Sequence, residues 1–241
     1  MKRMKNALRI YVYLTISVLC FGLTSLLAAQ ASSTIFDNSH NDLQTRFDPG
    51  TDQVGDEVIL AGTDRYLTSF SFEYWGVSLN PASFAGNVQA RVEFYQNNGT
   101  PLFNGYTPPG TSFYDSGWFG GFGPTGGDTN RATINFSVGT DFPLGGLFMP
   151  VVSNMTWTVQ FRNMGTGDSV GVDIYSPPTV GQDYPDYWQN DGTGWTLMTN
   201  SVPMDFAAVM QATVPEPSTL ALSVCGGLGL LLVARRFRRK E

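Results

Sequence analysis

Apolar and polar residues alternate one by one along several stretches of this 241-residue chain. Phe70, Phe72 and Tyr74 alternate with Ser69, Ser71 and Glu73, and Val92 and Phe94 with Arg91, Glu93 and Tyr95. The same period-two pattern recurs at Ile134, Phe136 and Val138, at Met155, Trp157, Val159 and Phe161, and at Val170, Val172 and Ile174. Phe206, Ala208 and Met210 open a last run. Side chains of a strand point to opposite faces in turn, so this pattern predicts strands with one face buried and one wet. No stretch of the body carries a sustained 3.6-residue stripe. Turn-forming clusters separate the runs: Asn97 to Pro101, Thr107 to Gly110, Gly120 to Asp128 and Ser176 to Pro178. Eight to ten short strands at this spacing predict one all-β domain over 34–212, a jelly-roll-like antiparallel β-sandwich.

Hydropathy changes character at both ends. Lys2, Arg3, Lys5 and Arg9 precede or open an apolar run from Ile10 to Leu27, and Ala29-Gln30-Ala31 supplies small residues. Residues 1–31 thus read as a helical signal peptide cleaved by signal peptidase after Ala31, with Ala29 and Ala31 at the cleavage site. At the other end, Val214-Pro215-Glu216-Pro217-Ser218-Thr219 precedes a 15-residue apolar run, Leu220 to Ala234, and then the cationic segment Arg235 to Lys240. Two prolines around one residue break any strand or helix. As a helix, the apolar run spans roughly 22 Å at about 1.5 Å per residue, short of the about 30 Å hydrocarbon core. Arginine snorkelling and local thinning bridge that gap. Basic residues favour the cytoplasmic side, so cationic clusters at both ends place the intervening body outside.

The terminal pattern resembles the tripartite tail of PEP-CTERM sorting-domain proteins: the Pro-Glu-Pro motif within 214–219, a short membrane helix over 220–234 and a basic tail over 235–241. The resemblance implies that Pro215, Glu216 and Pro217 are read by a membrane-embedded exosortase, and that the bacterium is Gram-negative and makes extracellular polysaccharide. It covers residues 214–241 only. The body is loosely similar to single β-sandwich domains found upstream of such tails, through Tyr187-Trp188 and Gly192-Thr193-Gly194-Trp195-Thr196-Leu197. Those domains imply no particular activity.

Charge narrows the choice of partner. Between residues 32 and 213 five arginines face 18 acidic residues, a formal charge of −13. Nucleic-acid affinity comes largely from cations neutralising phosphates, so nucleic acid is not an expected partner. Neutral polysaccharide and divalent cations suit such a surface. Cys20 and Cys225 both lie in the apolar ends, which leaves the body without a disulfide or a thiolate metal site.

Catalytic constellations are sparse. His40 is the single histidine, no Gly-x-Ser-x-Gly elbow accompanies it, and there is no P-loop or dinucleotide glycine pattern. A glycoside hydrolase needs only two carboxylates; Glu57, Glu73 and Glu93 are the candidates. No cofactor is expected apart from Ca²⁺. Asp48, Asp52, Asp56 and Glu57 cluster around Gly50 and Gly55, either as oxygen ligands on a bent loop or as a solubilising acidic loop. Asp183, Asp186 and Asp191 form a second such segment. Tyr184, Tyr187, Trp188 and Trp195 lie in a polar, Asp- and Gly-rich stretch, with Trp118 and Phe119 as further members. Such rings either stack on sugar C–H faces or cap one end of the core. The favoured reading is a non-enzymatic surface or matrix protein, ahead of a carbohydrate-binding module and a glycosidase.

Overall fold

A strand that buries every second side chain needs a second layer to bury them against, and here a second sheet supplies it. The computed structural model describes residues 32–126, 130–151, 153–200 and 202–214. The expected signal peptide with Ala29 and Ala31, and the expected tail with Pro215, Glu216 and Pro217, lie outside the described residues, and so do the two terminal helices expected there.

In chain order the strands are β1 (Ser33–Asn38), β2 (Asp42–Phe47), β3 (Gln53–Ile59), β4 (Tyr66–Val77), β5 (Gln89–Tyr95), β6 (Ser112–Asp115), β7 (Ala132–Ser137), β8 (Leu147–Phe148), β9 (Asn154–Arg162), β10 (Ser169–Tyr175), β11 (Gln182–Asn190), β12 (Trp195–Met198) and β13 (Ala208–Thr213). One sheet runs β1-β13-β4-β10-β2, and β7 and β8 also pair with β4. Residues 69–72 of β4 bond both β13 and β7, so these two strands lie on opposite edges of it. The other sheet runs β12-β11-β3-β9-β5-β6. All the strand pairings are antiparallel. The fold is therefore an all-β, two-sheet sandwich.

Phe70 of β4 stands at the centre of the core. Its ring meets Phe94 of β5 edge-on at 5.0 Å and Trp157 of β9 at 5.2 Å, joining the two sheets, and Phe136 of β7 at 5.8 Å. Phe70, Phe94 and Trp157 are fully buried. Edge-to-face ring pairs of this type add about 0.5–1.5 kcal/mol each beyond the area they bury.

The six alternating runs fall in β4, β5, β7, β9, β10 and β13. The segment expected as an acidic loop over 48–57 is different. Only its first half is a turn; from Gln53 it is β3, a central strand between β11 and β9. Its hydropathy does not alternate because both of its faces are covered: Gln53 and Glu57 on the outer face are buried, and an acid, Asp56, points inward among apolar neighbours. Gly55 is likewise a strand residue rather than a bend. A Cβ there would lie 2.7 and 2.8 Å from the methyls of Thr158 and Thr156 on β9.

Gly171 of β10 sets how closely β2 approaches. A Cβ at this position would fall 1.9 Å from the Phe47 carbonyl oxygen and 2.9 Å from Trp75 Nε1. Gly171→Ala must push β2 away from β10, and overpacking of this kind costs about 1–3 kcal/mol. The expected result is a fall in thermal midpoint of roughly 3–10 °C, read by calorimetry; an unchanged midpoint would mean that β2 yields freely.

Candidate binding face on the six-stranded sheet

The outer face of the six-stranded sheet is polar, yet much of it is buried. Gln53, Glu57 and Glu93 are less than a tenth exposed, and Thr156 and Thr158 are fully buried. Register explains their meeting: Glu93 of β5 opposes Thr158 of β9, which opposes Gly55 of β3. Gln53 Nε2 donates to Glu93 Oε2 at 2.9 Å and to Thr158 Oγ1 at 2.8 Å, and lies 3.3 Å from the Tyr95 hydroxyl. Arg91 reaches the other Glu93 oxygen at 3.2 Å and grips Asp115 of β6 with two donors, at 2.8 and 2.6 Å. Burial raises the Glu93 carboxyl, opposed by the Arg91 charge. Burial also pushes the Tyr95 phenol up to about 12, so it stays a neutral donor. The Arg91 clamp holds Asp115 below the usual carboxylate range.

The expected aromatic platform divides into separate places. Tyr187 opposes Asp56 in the β11–β3 register and joins the core, where it packs against Phe47 and Phe206. Trp188 opposes Gly55 on the outer face but is 1% exposed, with Phe103 set edge-on to it at 6.4 Å. That ring belongs to the 96–111 connection, which is pinned to the sheet where Thr156 Oγ1 donates to Asn97. Tyr184 meets Tyr106 of the same connection. Trp195 of β12 is half-buried and meets Tyr95 edge-on at 5.6 Å. Their strands lie four spacings apart, about 19 Å at roughly 4.8 Å each, so the two side chains lean together across the face. Trp118 sits under the Arg162 guanidinium at 4.0 Å, and Phe119 turns in toward Phe136. Of the four aromatics singled out, only Trp195 and Tyr184 present a ring to solvent. Tyr95 and Gln53, neither of them among the expected site residues, complete the Trp195 site; hydropathy alternation placed Tyr95 on an outer face but could not give it this neighbour.

The acidic candidates also separate. Asp48 accepts from Ser169 and from the Gly50 amide, Asp52 from Gln189, Asp56 from the Phe206 amide, and Glu57 from Asn154. Four carboxylates thus serve four sites, because β3 turns Asp56 and Glu57 to opposite faces. Asp191 caps its own turn through Thr193, away from Asp183. Among the described residues, no group of three or more His, Cys, Asp or Glu side chains is placed to hold a metal ion. The three glycosidase candidates divide between the two sheets. Glu73 lies on the other sheet, bonded by the Tyr175 hydroxyl beside Arg131, whereas Glu57 and Glu93 are tied to Asn154 and to Gln53 with Arg91.

A different acidic group emerges inside the sandwich. Asp56, Asp183 and Asp205 bear on one another, and Asp56 Oδ1, Asp183 Oδ2 and Asp205 Oδ1 are buried without a hydrogen-bond partner. Burial, reinforced by the neighbouring acids, raises Asp56 well above the usual range and Asp183 to about 7. Burial raises Asp205 to about 6. Asp173 on β10 also rises to about 6 through burial, despite Arg131 and Arg46.

No protein family, curated protein or solved structure matches the chain.

Two expectations follow. A carboxyl whose folded pKa exceeds its unfolded value, near 3.9 for Asp, stabilises fully below that value and loses this contribution as pH rises through the folded one. Thermal midpoints should therefore be highest near pH 4 and fall from there through pH 6–7, and a profile that climbs over that window would show these carboxyls to be ionised and satisfied. Separately, Trp188→Ala should cost about 3–5 kcal/mol, as for other buried aromatics. Trp195→Ala should cost about 1 kcal/mol or less. Denaturant unfolding of both variants checks the contrast.

Proposed function

We propose that this chain is an exported, non-catalytic surface protein, structural or adhesive in role and associated with exopolysaccharide. Signal peptidase removes residues 1–31, and an exosortase reads Pro215, Glu216 and Pro217 ahead of the membrane helix over 220–234. The mature sandwich then stands at the cell surface or in the extracellular matrix of a Gram-negative-type bacterium. The observation that carries this reading is the order of charge and hydropathy: a body of formal charge −13 between two apolar segments, each with a cationic cluster on its far side. The sandwich is of a kind with that role, since it is closed by packing rather than by cross-links and its body contains no cysteine.

We further infer a jelly-roll topology. The order β1-β13-β4-β7 in one sheet and β3-β9-β5-β6 in the other supports it, because this is the path of two interleaved Greek keys. The strands β10, β11 and β12 then form an insertion before the last strand.

A second reading, a carbohydrate-binding module, is favoured by one specific contact. Trp195 and Tyr95 offer half-buried rings beside the hydrogen-bonding groups of Gln53 and Glu93. Trp195→Ala is the variant to use on a glycan array for this reading, because Trp188 is buried.

Sorting is tested directly by deleting residues 220–241. Membrane retention and normal processing should both be lost, read by fractionation and immunoblotting against the full chain in a host that carries an exosortase. Unchanged fractionation of the truncated protein would sink the proposal.

A further inference from the structure

The two free edges β6 and β7 end their respective sheets on the same side of the sandwich, and a cavity of about 320 Å³ opens between them. Pockets that take a small ligand run from about 300 to 1,000 Å³, so this one suits a single ring rather than an extended chain. Its apolar wall is aromatic. Tyr114 of β6 stacks on Phe94 at 4.9 Å and stands 6.4 Å from Phe136 of β7, and Phe119 meets Phe136 at 5.5 Å. Packing on core rings from both sheets fixes this wall.

The ionisable carboxyls of its lining are all aspartates, set among the neutral polar groups Ser116, Asn135 and Thr140. Asp115, Asp141 and Asn135 border the cavity, and neither Lys nor Arg lines it. Asp115 is held by Arg91 and by the Gly117 amide. Asp141 accepts the Ser137 amide through Oδ2 at 2.8 Å, which leaves Oδ1 able to accept from a ligand. The Tyr114 phenol is pushed up to about 12, by burial first and then by the Asp141 and Asp115 charges, so it remains a donor at any physiological pH.

From the cavity, its aromatic wall and its anionic, donor-bearing lining, we propose that the β6–β7 slot binds one neutral pyranose unit of a polysaccharide. Apolar C–H faces of the sugar lie against the rings, and its hydroxyls donate to Asp141 and accept from Tyr114. Uronates, sulfates and phosphates are repelled by Asp141, since Arg91 offsets the charge of Asp115. The choice of a saccharide as ligand rests on the surface-matrix reading above; the slot and its charge do not. The site is distinct from the Tyr95–Trp195 face and uses other residues.

The test is an amide chemical-shift titration of segment 32–214, which contains the whole core, with methyl glucoside, methyl mannoside, methyl galactoside, glucuronate and CaCl₂ in separate arms. At least one neutral glycoside should shift residues 114–119 and 134–141 with millimolar affinity, while glucuronate should bind at least tenfold more weakly. Tyr114→Phe and Asp141→Asn should each weaken binding at least fivefold with little change in thermal midpoint. Asp141 is exposed, so its variant carries the test if the Tyr114 variant fails to fold. The proposal is overturned if no neutral glycoside shifts these residues by 50 mM, if glucuronate or calcium alone binds as well, or if both variants bind like the parent. Sorting is read by fractionation of the full chain, so the two proposals fail independently.

Discussion

Everything in this molecule depends on rings from β4, β5 and β9 gripping one another across the gap between the sheets. Phe70 touches Phe94 and Trp157 at 5.0 and 5.2 Å, and no cysteine in the body relieves this contact of its task. Dense aromatic packing is worth most when it is continuous, since each ring both excludes water and fixes its neighbours. Against it stands the interior acid group, Asp56 with Asp183 and Asp205, whose unpartnered oxygens are costly to bury in charged form. Burial lifts their carboxyls above the usual carboxylate range, which ties the strength of the whole sandwich to pH.

The outer faces follow a different rule. Charged groups there are matched locally: Arg91 with Asp115 and Glu93, and Arg131 with Asp42. Arg46, Arg91, Arg131 and Arg162 take part in such matches or lie over aromatic rings. Between residues 32 and 213 the acids outnumber the arginines eighteen to five and set the sign of the surface. A protein built this way discriminates against anionic partners before any specific contact forms.

Much of the fold was legible in the sequence, because period-two alternation survives wherever a strand has one wet face. Runs at 69–74, 91–95 and 155–162 therefore mark β4, β5 and β9 faithfully. The strands that escaped are those whose environment breaks the pattern. β3 carries Asp56 inward and buries its outer polar face as well, and β11 is interrupted by a register shift between Asp183 and Tyr187. The candidate sites were less legible for the same reason. Adjacent acids on a strand point apart, so Asp56 and Glu57 never share a site, and neighbours in sequence such as Tyr187 and Trp188 go to opposite faces. Conversely, the β6–β7 slot joins residues some twenty positions apart, and nothing in local pattern announces such a meeting.

The position of β13 has a consequence for assembly. It lies between β1 and β4, so the first and last strands of the sandwich are partners, with Ser33 opposite Ala212. Until that final strand arrives, β1 and one edge of β4 lack their partner, and sheets that depend on distant pairings close slowly. A polypeptide threaded through a membrane from its amino end would hence cross in an open form and lock only when residue 213 had emerged. Maturation of the domain and delivery of its last residues would then be a single event.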